Sequence, residues 1–317
     1  MAGLDVSAGG YERLGHWLPV TPQPTSHRPD ASAPGAVARP ACARLPDVPI
    51  VPVDDLDDPR LADYVHLRAP SRRMALERER GIFTVEGRLS IEALLESRYA
   101  VRSLFVAEEH VARVASLVHT DAPIFTMPAK DMESVTGVHF HRGVLAVAER
   151  PALPSMRELV VDASTLLVLE AVNDHENIGA LFRNAAAFGV DAVVLDPTTT
   201  DPLYRRSTRV SLGHVLRVPF ARVADDGWPG ALGELRDLGF TTLSLTPSPD
   251  AVPLRELVAN PPARVALVLG AEGPGLSGPA LRATDQQVRI PMAPGVDSVN
   301  VATAAAIALS ALYEPDQ

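Results

Sequence analysis

Short apolar runs alternate with helical patterns along most of the chain, beginning near residue 54. In the first part, apolar residues at helical spacing occupy 91–95 and 111–118. The predicted strands of this part are 81–85, 101–106, 123–127 and 143–147. Strands that alternate with helices in this way predict a small α/β domain over 54–150.

The part from 157 to 317 alternates more strongly. Its predicted strands are 165–170, 192–195, 215–218, 241–245, 265–269 and 288–290, and a long helical pattern at 301–313 closes the chain. Short, nearly continuous Val/Leu strands are typical of a parallel sheet covered on both faces. Ligands bind to such sheets in the loops that follow the carboxyl ends of the strands. Those loops are therefore the places to search for chemistry.

Proline marks the boundaries of this organisation. Nine prolines lie between Pro19 and Pro52. Because proline lacks a backbone donor and fixes φ, we predict a mostly disordered tail over 1–53 that forms no regular ladder. Two further prolines lie in the segment 149–156, which is predicted to be the linker between the two parts.

Composition and charge narrow the possible functions. Of the 317 residues, 46% are apolar and 21% are charged, which is typical of a globular protein. A formal net charge of −10 excludes a generally basic coat for nucleic acid and leaves only local basic patches. The single cysteine, Cys42, permits neither an intrachain disulfide nor a thiolate metal cage and favours a reducing compartment.

Signals for targeting, membrane insertion and metal binding are weak. The first ten residues carry no cation and no apolar run, and 301–313 is shorter than the ~20 residues that span a bilayer. We therefore expect a soluble cytoplasmic protein without membrane contact. His139 and His141 alternate along a predicted strand and lack a third ligand, so we expect no metal site.

A segment at 173–189 that runs from a strand into a helix carries the first candidate chemistry. Arg183 falls off the apolar stripe that contains Ile178 and Phe182, and it lies beside small residues. Arg183 is therefore either a solvated surface side chain or a cation that reaches into a cleft. Asn177 stands where a helix N-cap belongs, so it is either a cap or a functional amide.

Two further polar loops follow predicted strands. Residues 270–277 (GAEGPGLS) hold three glycines, which let backbone N–H groups approach a ligand but also suit a plain turn. This loop lacks the Gly-Lys-Ser/Thr ending of a phosphate loop. In the third loop, 290–302, Ser298 and Asn300 occupy capping positions before the last helix. Each loop alone is weak evidence, whereas three in order at strand ends favour one shared site.

These three loops, in this order, resemble the signature motifs of the SpoU (TrmH) family of RNA ribose 2′-O-methyltransferases in the SPOUT superfamily. The matching stretches are NIGALFRNAAAFGVDAVVL (177–195), VALVLGAEGPGLS (265–277) and IPMAPGVDSVNVATAAAIAL (290–309). More loosely, GIFTVEGRLSIEALL (81–95) is similar to the small ribosomal-protein-like domain that many members carry before the catalytic one.

The resemblance implies a SPOUT-type α/β catalytic domain over 157–317 with a deep C-terminal trefoil knot, preceded by a small α/β RNA substrate-binding domain over 54–150. Ordinary connection rules do not predict such a knot. The resemblance also implies a homodimer and S-adenosyl-L-methionine as the cofactor. By position, the cofactor contacts are Leu245 or its neighbours, Gly270, Ile290, Met292, Ser298 and Val299. The residues that match the family's catalytic set are Asn177, Arg183, Glu272 and Asn300.

Elementary chemistry constrains the roles that this set can play. A ribose hydroxyl is a poor nucleophile and must lose its proton as it attacks the methyl group, so positioning carries much of the acceleration. A guanidinium is very hard to deprotonate. We therefore expect Arg183 to bind the substrate phosphate and stabilise developing negative charge, with Glu272 and Asn300 orienting it. The 2′-hydroxyl makes RNA rather than DNA the substrate.

RNA contacts are expected at local arginine clusters. Eight arginines against five glutamates lie between Arg68 and Arg102, a cluster that is either an RNA contact or a solvated face. The candidate RNA contacts are Arg72, Arg73, Arg205, Arg206 and Arg209. Two positions depart from the family's pattern: His175 stands where proline is common, and Ala302 stands where serine is common.

Two other functions stay open at the level of sequence. A dinucleotide-binding oxidoreductase needs a glycine fingerprint after the first strand of its sheet, and the segment AVNDHENIGA after Glu170 lacks that spacing. A non-catalytic RNA-binding relative would keep the fold, but the intact catalytic set counts against it. Ribosomal and transfer RNA both fit the resemblance.

Overall fold

Two β-sheets, built from consecutive parts of the chain, organise the molecule. The computed structural model describes residues 48–138 and 143–313, so His139, His141, Cys42 and most of the predicted tail lie outside the described residues. The strands are β1 (Ile50–Pro52), β2 (Ile82–Glu86), β3 (Val101–Ala107), β4 (Ile124–Met127), β5 (Val144–Glu149), β6 (Thr165–Leu169), β7 (Ala192–Leu195), β8 (Phe220–Arg222), β9 (Thr241–Leu245), β10 (Val252–Pro253), β11 (Val265–Leu269) and β12 (Gln286–Arg289).

Helices pack around these strands. They are α1 (Pro70–Arg80), α2 (Arg88–Leu95), α3 (Val111–Ala115), α4 (Ala129–Thr136), α5 (Met156–Val160), α6 (His175–Ala187), α7 (Arg205–Val210), α8 (Gly230–Asp237), α9 (Leu254–Val258), α10 (Gly278–Ala283) and α11 (Val301–Leu312), with short 3-10 helices at Pro59–Leu61, Glu108–His110 and His214–Leu216. Within the described ranges, no helix is long and apolar enough to cross a membrane.

The first sheet has five strands in the order β1-β4-β3-β5-β2. The pairs β1/β4 and β3/β4 are parallel, whereas β3/β5 and β2/β5 are antiparallel. Its four longer strands lie within two residues of their predicted positions. Apolar runs of this length bounded by turn residues were sufficient to place them.

Strand β1 corrects the predicted tail, because the first sheet begins at residue 50, inside the stretch expected to form no ladder. The Pro49 carbonyl accepts from the Ile124 N–H at 2.9 Å, and the Val53 N–H donates to the Thr126 carbonyl at 2.9 Å. The Val53 N–H points toward β4, and the N–H groups of successive residues in a strand point to opposite sides. Position 52, where proline has no N–H, therefore faces away from β4. Proline is tolerated there because β1 is an edge strand.

The second sheet is parallel throughout and has seven strands in the order β10-β12-β9-β11-β6-β7-β8. The α/β class predicted from the alternating pattern is thereby confirmed. Strands β6 and β11, at the centre, pair in register from Thr165 and Val265 to Leu169 and Leu269. Both strands are almost entirely buried, as continuous apolar runs require in a sheet covered on two faces.

The strand predicted at 215–218 is wrong. Residues His214–Leu216 form a 3-10 helix after Gly213, and the strand β8 begins later, at Phe220. Val215 and Leu216 are nevertheless buried, because a helical turn places short apolar runs in the core as well as a strand does. Periodicity does not distinguish the two over so few residues.

Three apolar clusters build the core. One lies on the outer face of the first sheet and contains Tyr64 and Phe105. A second lies on one face of the second sheet, under α5 and α8. The largest is continuous between the two sheets and runs from Phe83 to Leu309. The sheets therefore share one core instead of being joined only by a linker.

Helix α2 comes into close backbone contact with the segment that follows α7. Gly213 has φ +84°, and a Cβ built on it would lie 2.4 Å from Ala93 Cβ and 3.1 Å from Ser90 Cα. The Ser90 hydroxyl donates to the Thr208 carbonyl at 3.2 Å in the same contact. Only glycine adopts this left-handed conformation readily and also lacks the Cβ that would collide with α2.

Gly213→Ala is expected to lower the free energy of unfolding by about 2 kcal/mol or more, since it combines an unfavourable φ with overpacking. Urea unfolding measures this loss. The matched control is Gly233→Ala in α8, where a Cβ meets nothing within 4 Å, and which should be neutral or stabilise by up to about 1 kcal/mol. Equal effects of both substitutions would contradict this account of the junction.

Candidate active site

The strand order of the second sheet reverses at β6 and β11, and three loops leave the sheet there. After β6 the chain continues to β7 and β8 on one side, whereas β9, β10 and β12 lie on the other side of β11. Crevices at such reversals, beyond the carboxyl ends of the strands, are the usual ligand sites of parallel sheets. The loops after β9 and β11 and the segment after β12 all open into this region.

Helix α6 starts at this crevice, and its cap differs from the prediction. Asp174 is the N-cap, and its carboxylate accepts from the Glu176 N–H at 2.6 Å. Asn177 lies one turn inside the helix, is buried, and uses its side chain elsewhere. Of the two alternatives for Asn177, capping is therefore wrong, and its carboxamide is available to the crevice.

Asn300 joins three segments of the chain through one carboxamide. Its Oδ1 caps α11 by accepting from the N–H groups of Ala302, at 2.9 Å, and Thr303, at 3.2 Å. Its Nδ2 donates to Asn177 Oδ1 at 2.9 Å and to Glu272 Oε1 at 2.7 Å. Three of the four residues of the predicted catalytic set are thus in one hydrogen-bonded cluster, and Asn300 is a cap as well.

Arg183 lies two turns further along α6, with an exposed side chain. In the described chain its guanidinium makes no hydrogen bond to Glu272 or Asn300, so the expected orienting contacts are absent. The charge of Arg183 acts on His214. Burial lowers the pKa of the His214 imidazole, and the guanidiniums of Arg217 and Arg183 lower it further. Arg183 therefore presents an unpaired positive charge beside the 3-10 helix that follows α7.

A cavity of about 580 Å³ occupies the crevice. It is lined by every residue predicted to contact the cofactor, together with Glu272 and Asn300 from the cluster. The predicted contacts on its wall are Leu245, Gly270, Ile290, Met292, Ser298 and Val299. Aliphatic side chains and loop backbone therefore form the wall, and one carboxylate stands at its edge.

The glycine loop after β11 is folded tightly against itself. Ala271 and Gly275 form an antiparallel bridge, in which the Gly275 N–H donates to the Ala271 carbonyl at 3.0 Å. A Cβ on Gly270 would lie 2.3 Å from the carbonyl carbon of Gly275. Glycine is required at Gly270 for this close approach, which keeps the loop backbone at the cavity wall.

The opposite wall offers backbone groups that have no partner in secondary structure. Across 291–299 the described structure contains one backbone–backbone hydrogen bond, from the Val296 N–H to the Ala293 carbonyl at 3.2 Å. A cavity with aliphatic walls and free main-chain donors and acceptors suits a ligand with a flat apolar ring and polar edges.

Glu170, at the end of β6, is a site residue that the sequence analysis missed. Its buried carboxylate accepts from the Ser277 N–H at 2.8 Å, the Ser277 hydroxyl at 2.7 Å and Trp228 Nε1 at 2.7 Å. Ser277 is also the N-cap of α10. Glu170 thus fixes the far end of the glycine loop. An acidic residue that directly follows a fully apolar strand was the available signal.

The arginines predicted to contact RNA have different environments. Arg72 is exposed, as expected for a contact residue. Arg73 is fully buried, so its assignment as an RNA contact is wrong. Its guanidinium pairs with Glu77 at 2.8 Å, donates to the Asp63 carbonyl at 2.7 Å and bonds the Thr84 hydroxyl. Arginine and glutamate four residues apart on one helix face are also typical of solvated pairs, so the sequence did not reveal burial.

The second arginine cluster is partly engaged in joining the two sheets. Arg205 pairs with Glu86 of β2 at 2.7 Å and donates to the Leu67 carbonyl at 3.0 Å. Arg209, whose side chain is half-exposed, contacts the other oxygen of Glu86 at 3.3 Å. Arg206 pairs with Glu176 at 2.5 Å, and both side chains are exposed. Arg206 and Arg209 are therefore the members of this cluster accessible to a large ligand.

Comparisons with known proteins agree with this geometry. A model of the SpoU rRNA Methylase family matches residues 164–310. An uncharacterized tRNA/rRNA methyltransferase of Mycobacterium bovis is 47% identical over 270 residues, which cover 84% of this chain and 93% of the relative. The 23S rRNA (guanosine(2553)-2′-O)-methyltransferase of Bacillus subtilis is 29% identical over 225 residues, 71% of this chain and 86% of that protein. An AdoMet-bound rRNA methyltransferase from Sinorhizobium meliloti superposes with a TM-score of 0.70 at 25% identity, covering 83% of this chain and 97% of that one.

Arg73→Ala is expected to lower the free energy of unfolding by about 3–5 kcal/mol, because it leaves Glu77 buried without its cation. Arg72→Ala, one position earlier on the exposed face, should change stability by less than about 0.5 kcal/mol. Urea unfolding of the two variants measures the difference. A mild effect of Arg73→Ala would show that the buried pair contributes little.

Asn300→Ala should lower the free energy of unfolding by about 1 kcal/mol through loss of the α11 cap. Asn300→Ser keeps an acceptor for the capping N–H groups and is too short to donate to Asn177 and Glu272. We expect its loss of stability to be smaller, since Asn300 and Glu272 are both exposed. Thermal unfolding compares the two variants, and equal losses would show that the link between the loops outweighs the cap.

Proposed function

Since the chain belongs to the SpoU family of RNA methyltransferases, we propose that it transfers a methyl group from S-adenosyl-L-methionine to a ribose 2′-hydroxyl of ribosomal or transfer RNA. The observation that carries this proposal is the hydrogen-bonded cluster of Asn177, Glu272 and Asn300 at the edge of the cavity. Asn177 lies on α6, the helix that also carries Arg183. The family assignment leaves no place for the oxidoreductase alternative.

The cavity fits the proposed cofactor. Its aliphatic lining, which includes Leu245, Ile290 and Val299, suits an adenine ring. Unpaired main-chain groups of 291–299 and the close-packed glycine loop supply donors and acceptors for its polar edges. The relative from Sinorhizobium meliloti is AdoMet-bound and has the same fold. When bound, this cofactor supplies an activated methyl group on a sulfonium.

The residues of the chain position the RNA and manage its charge. Arg183 lies on α6, and its cationic side chain is exposed. A guanidinium there would bind a phosphate next to the target ribose, lower the pKa of the 2′-hydroxyl and stabilise the developing oxyanion. Arg183 is then an electrostatic group, and the proton leaves to phosphate or water.

Hydrogen bonds within the cluster of Asn177, Glu272 and Asn300 fix the loops relative to one another. The Asn300 carboxamide fixes the segment before α11 against both α6 and the glycine loop. Such fixed geometry is what methyl transfer needs, because the reacting oxygen and the methyl carbon must approach nearly in line. The exposed Glu272 carboxylate also gives the cluster a negative charge.

We propose three further features from the family and from the exposed surface. The part of the chain that carries the first sheet, which begins at residue 50, serves as the RNA-binding domain, with Arg72 among its contacts and Arg206 and Arg209 adding to them. The segment after β11 forms the trefoil knot. The protein acts in the cytoplasm as a homodimer whose subunits meet near α11, where Val299, Ile307 and Tyr313 are exposed apolar side chains.

Arg183→Ala should abolish methyl transfer to cellular RNA while changing the affinity for S-adenosyl-L-methionine less than about threefold, because Arg183 lies outside the cavity wall. Mass-spectrometric mapping of 2′-O-methyl nucleotides measures transfer, and isothermal titration measures cofactor binding. The matched control is Arg157→Ala, which removes another exposed arginine at the start of the second part of the chain.

Loss of transfer and of cofactor binding together in Arg183→Ala would refute the proposed role of this arginine. If the wild-type protein transfers no methyl group to any cellular RNA, that result refutes the proposed activity and favours the non-catalytic RNA-binding alternative. Mapping in RNA from a deletion strain then identifies the substrate, because the missing 2′-O-methyl nucleotide is the one this enzyme supplies.

A further inference from the structure

A second cavity lies near the start of α6, between helix α1 of the first sheet and helix α7 of the second. Its volume is about 320 Å³, at the lower end of the ~300–1,000 Å³ typical of ligand pockets. Met74 of α1 forms an apolar wall and is 42% exposed. None of the residues that line this cavity lines the cavity after β11.

The other walls are aromatic and cationic. The His175 imidazole stacks on the Tyr204 ring, with centroids 4.2 Å apart and planes inclined by 33°. Tyr204 is buried, whereas His175 is half-buried and lines the cavity. The buried Tyr204 ring holds the half-buried His175 ring in place. His175 therefore presents an aromatic surface that is already ordered before a ligand binds.

The surroundings of the imidazole favour its uncharged form. Burial lowers the pKa of His175 and Arg206 lowers it further, against the opposing effect of Asp201 and Asp174. Its nitrogens face the hydroxyls of Thr200, at 3.5 Å, and Ser207, at 3.4 Å. The edge of the ring is thus held by polar neighbours.

The charges around this cavity are nearly balanced. Glu86 is shared by Arg205 and Arg209, and Glu176 pairs with Arg206. Asp174 and Asp201 add negative charge close to His175. Arg206 and Glu176 are both exposed, so a phosphate can replace the carboxylate as the partner of Arg206 at little cost.

Helix α6 connects this cavity to the proposed catalytic residues. His175 and Arg183 are eight residues apart on it, which corresponds to roughly 12 Å along the axis. That separation is within reach of a short stretch of single strand. An aromatic surface, a thioether wall and accessible guanidiniums are the features that hold an unpaired base together with its phosphate.

We propose that the cavity formed by Met74, His175, Tyr204 and Arg206 binds an unpaired RNA nucleotide that neighbours the methylated one, with the base on His175 and the phosphate on Arg206. The inference rests on the proposed RNA methyl transfer and adds a requirement that the RNA be single-stranded beside its target ribose. His175 is then a positioning residue for the RNA, outside the reacting atoms.

The test compares two probes without cofactor: a fluorescein-labelled oligoadenylate and the same ribose-phosphate chain made abasic. His175→Ala should weaken binding of the oligoadenylate about tenfold, the loss of one base–aromatic stack, and leave the abasic chain unaffected. His175→Phe keeps the aromatic surface and should bind both probes like the wild type. His119→Ala, which removes an exposed histidine elsewhere, is the matched control.

Arg206→Ala should weaken both probes equally and reduce the slope of log affinity against log salt by about 0.7, the value for one phosphate contact on a single strand. Fluorescence anisotropy over a salt series gives both quantities.

Three results would overturn the inference: an unchanged oligoadenylate affinity in His175→Ala, an equal loss for the abasic chain, or a wild-type protein that does not distinguish the two probes. Because the probes are tested without methyl transfer, these results leave the proposed function to its own assay. Conversely, the protein could bind the oligoadenylate better than the abasic chain and yet transfer no methyl group to cellular RNA. That result would refute the proposed methyl transfer and support nucleotide binding in this cavity.

Discussion

The carboxamide of Asn300 is the contact on which the geometry of the site depends. One of its atoms holds the start of α11, and the other holds α6 and the glycine loop, which are 123 and 28 residues away in the sequence. An amide is suited to this position because it donates and accepts at once. A carboxylate would supply only the cap, and an apolar side chain would supply neither. The convergence of the loops is therefore a property of one side chain as much as of the sheet beneath them.

The parallel sheet was largely predictable from the sequence, and the physical reason is its burial. Strands such as β6 and β11 are covered on both faces, so they appear as nearly continuous apolar runs. The three polar loops could be located for the same reason, since each follows such a run. The errors lie where burial does not require a distinctive pattern. The run at 215–218 is buried by a turn, and β1 pairs at an edge that tolerates proline.

Charged residues were the least predictable part of the molecule. Arg73 and Glu77 are buried together in α1, although their spacing is also that of a solvated pair. Arg205 was predicted to meet RNA and instead joins the two sheets through Glu86. The direction in which such a side chain points depends on the partners that the fold places opposite it, and for Arg205 the carboxylate partner is 119 residues away. Local sequence carries no record of it. Of the predicted RNA contacts, only Arg72, Arg206 and Arg209 are therefore exposed.

The two walls of the larger cavity differ in how firmly they are held. The glycine loop is fixed at one end by the contact between Gly270 and Gly275 and at the other by the Glu170 carboxylate. The facing segment, 291–299, has one internal backbone hydrogen bond in the described structure and is tethered to the cluster by Asn300. Any widening of the cavity therefore falls to that segment. If a spent donor must leave before the next one enters, the rate of exchange is set by this softer wall, and the rigid one serves as the template against which each new donor is aligned.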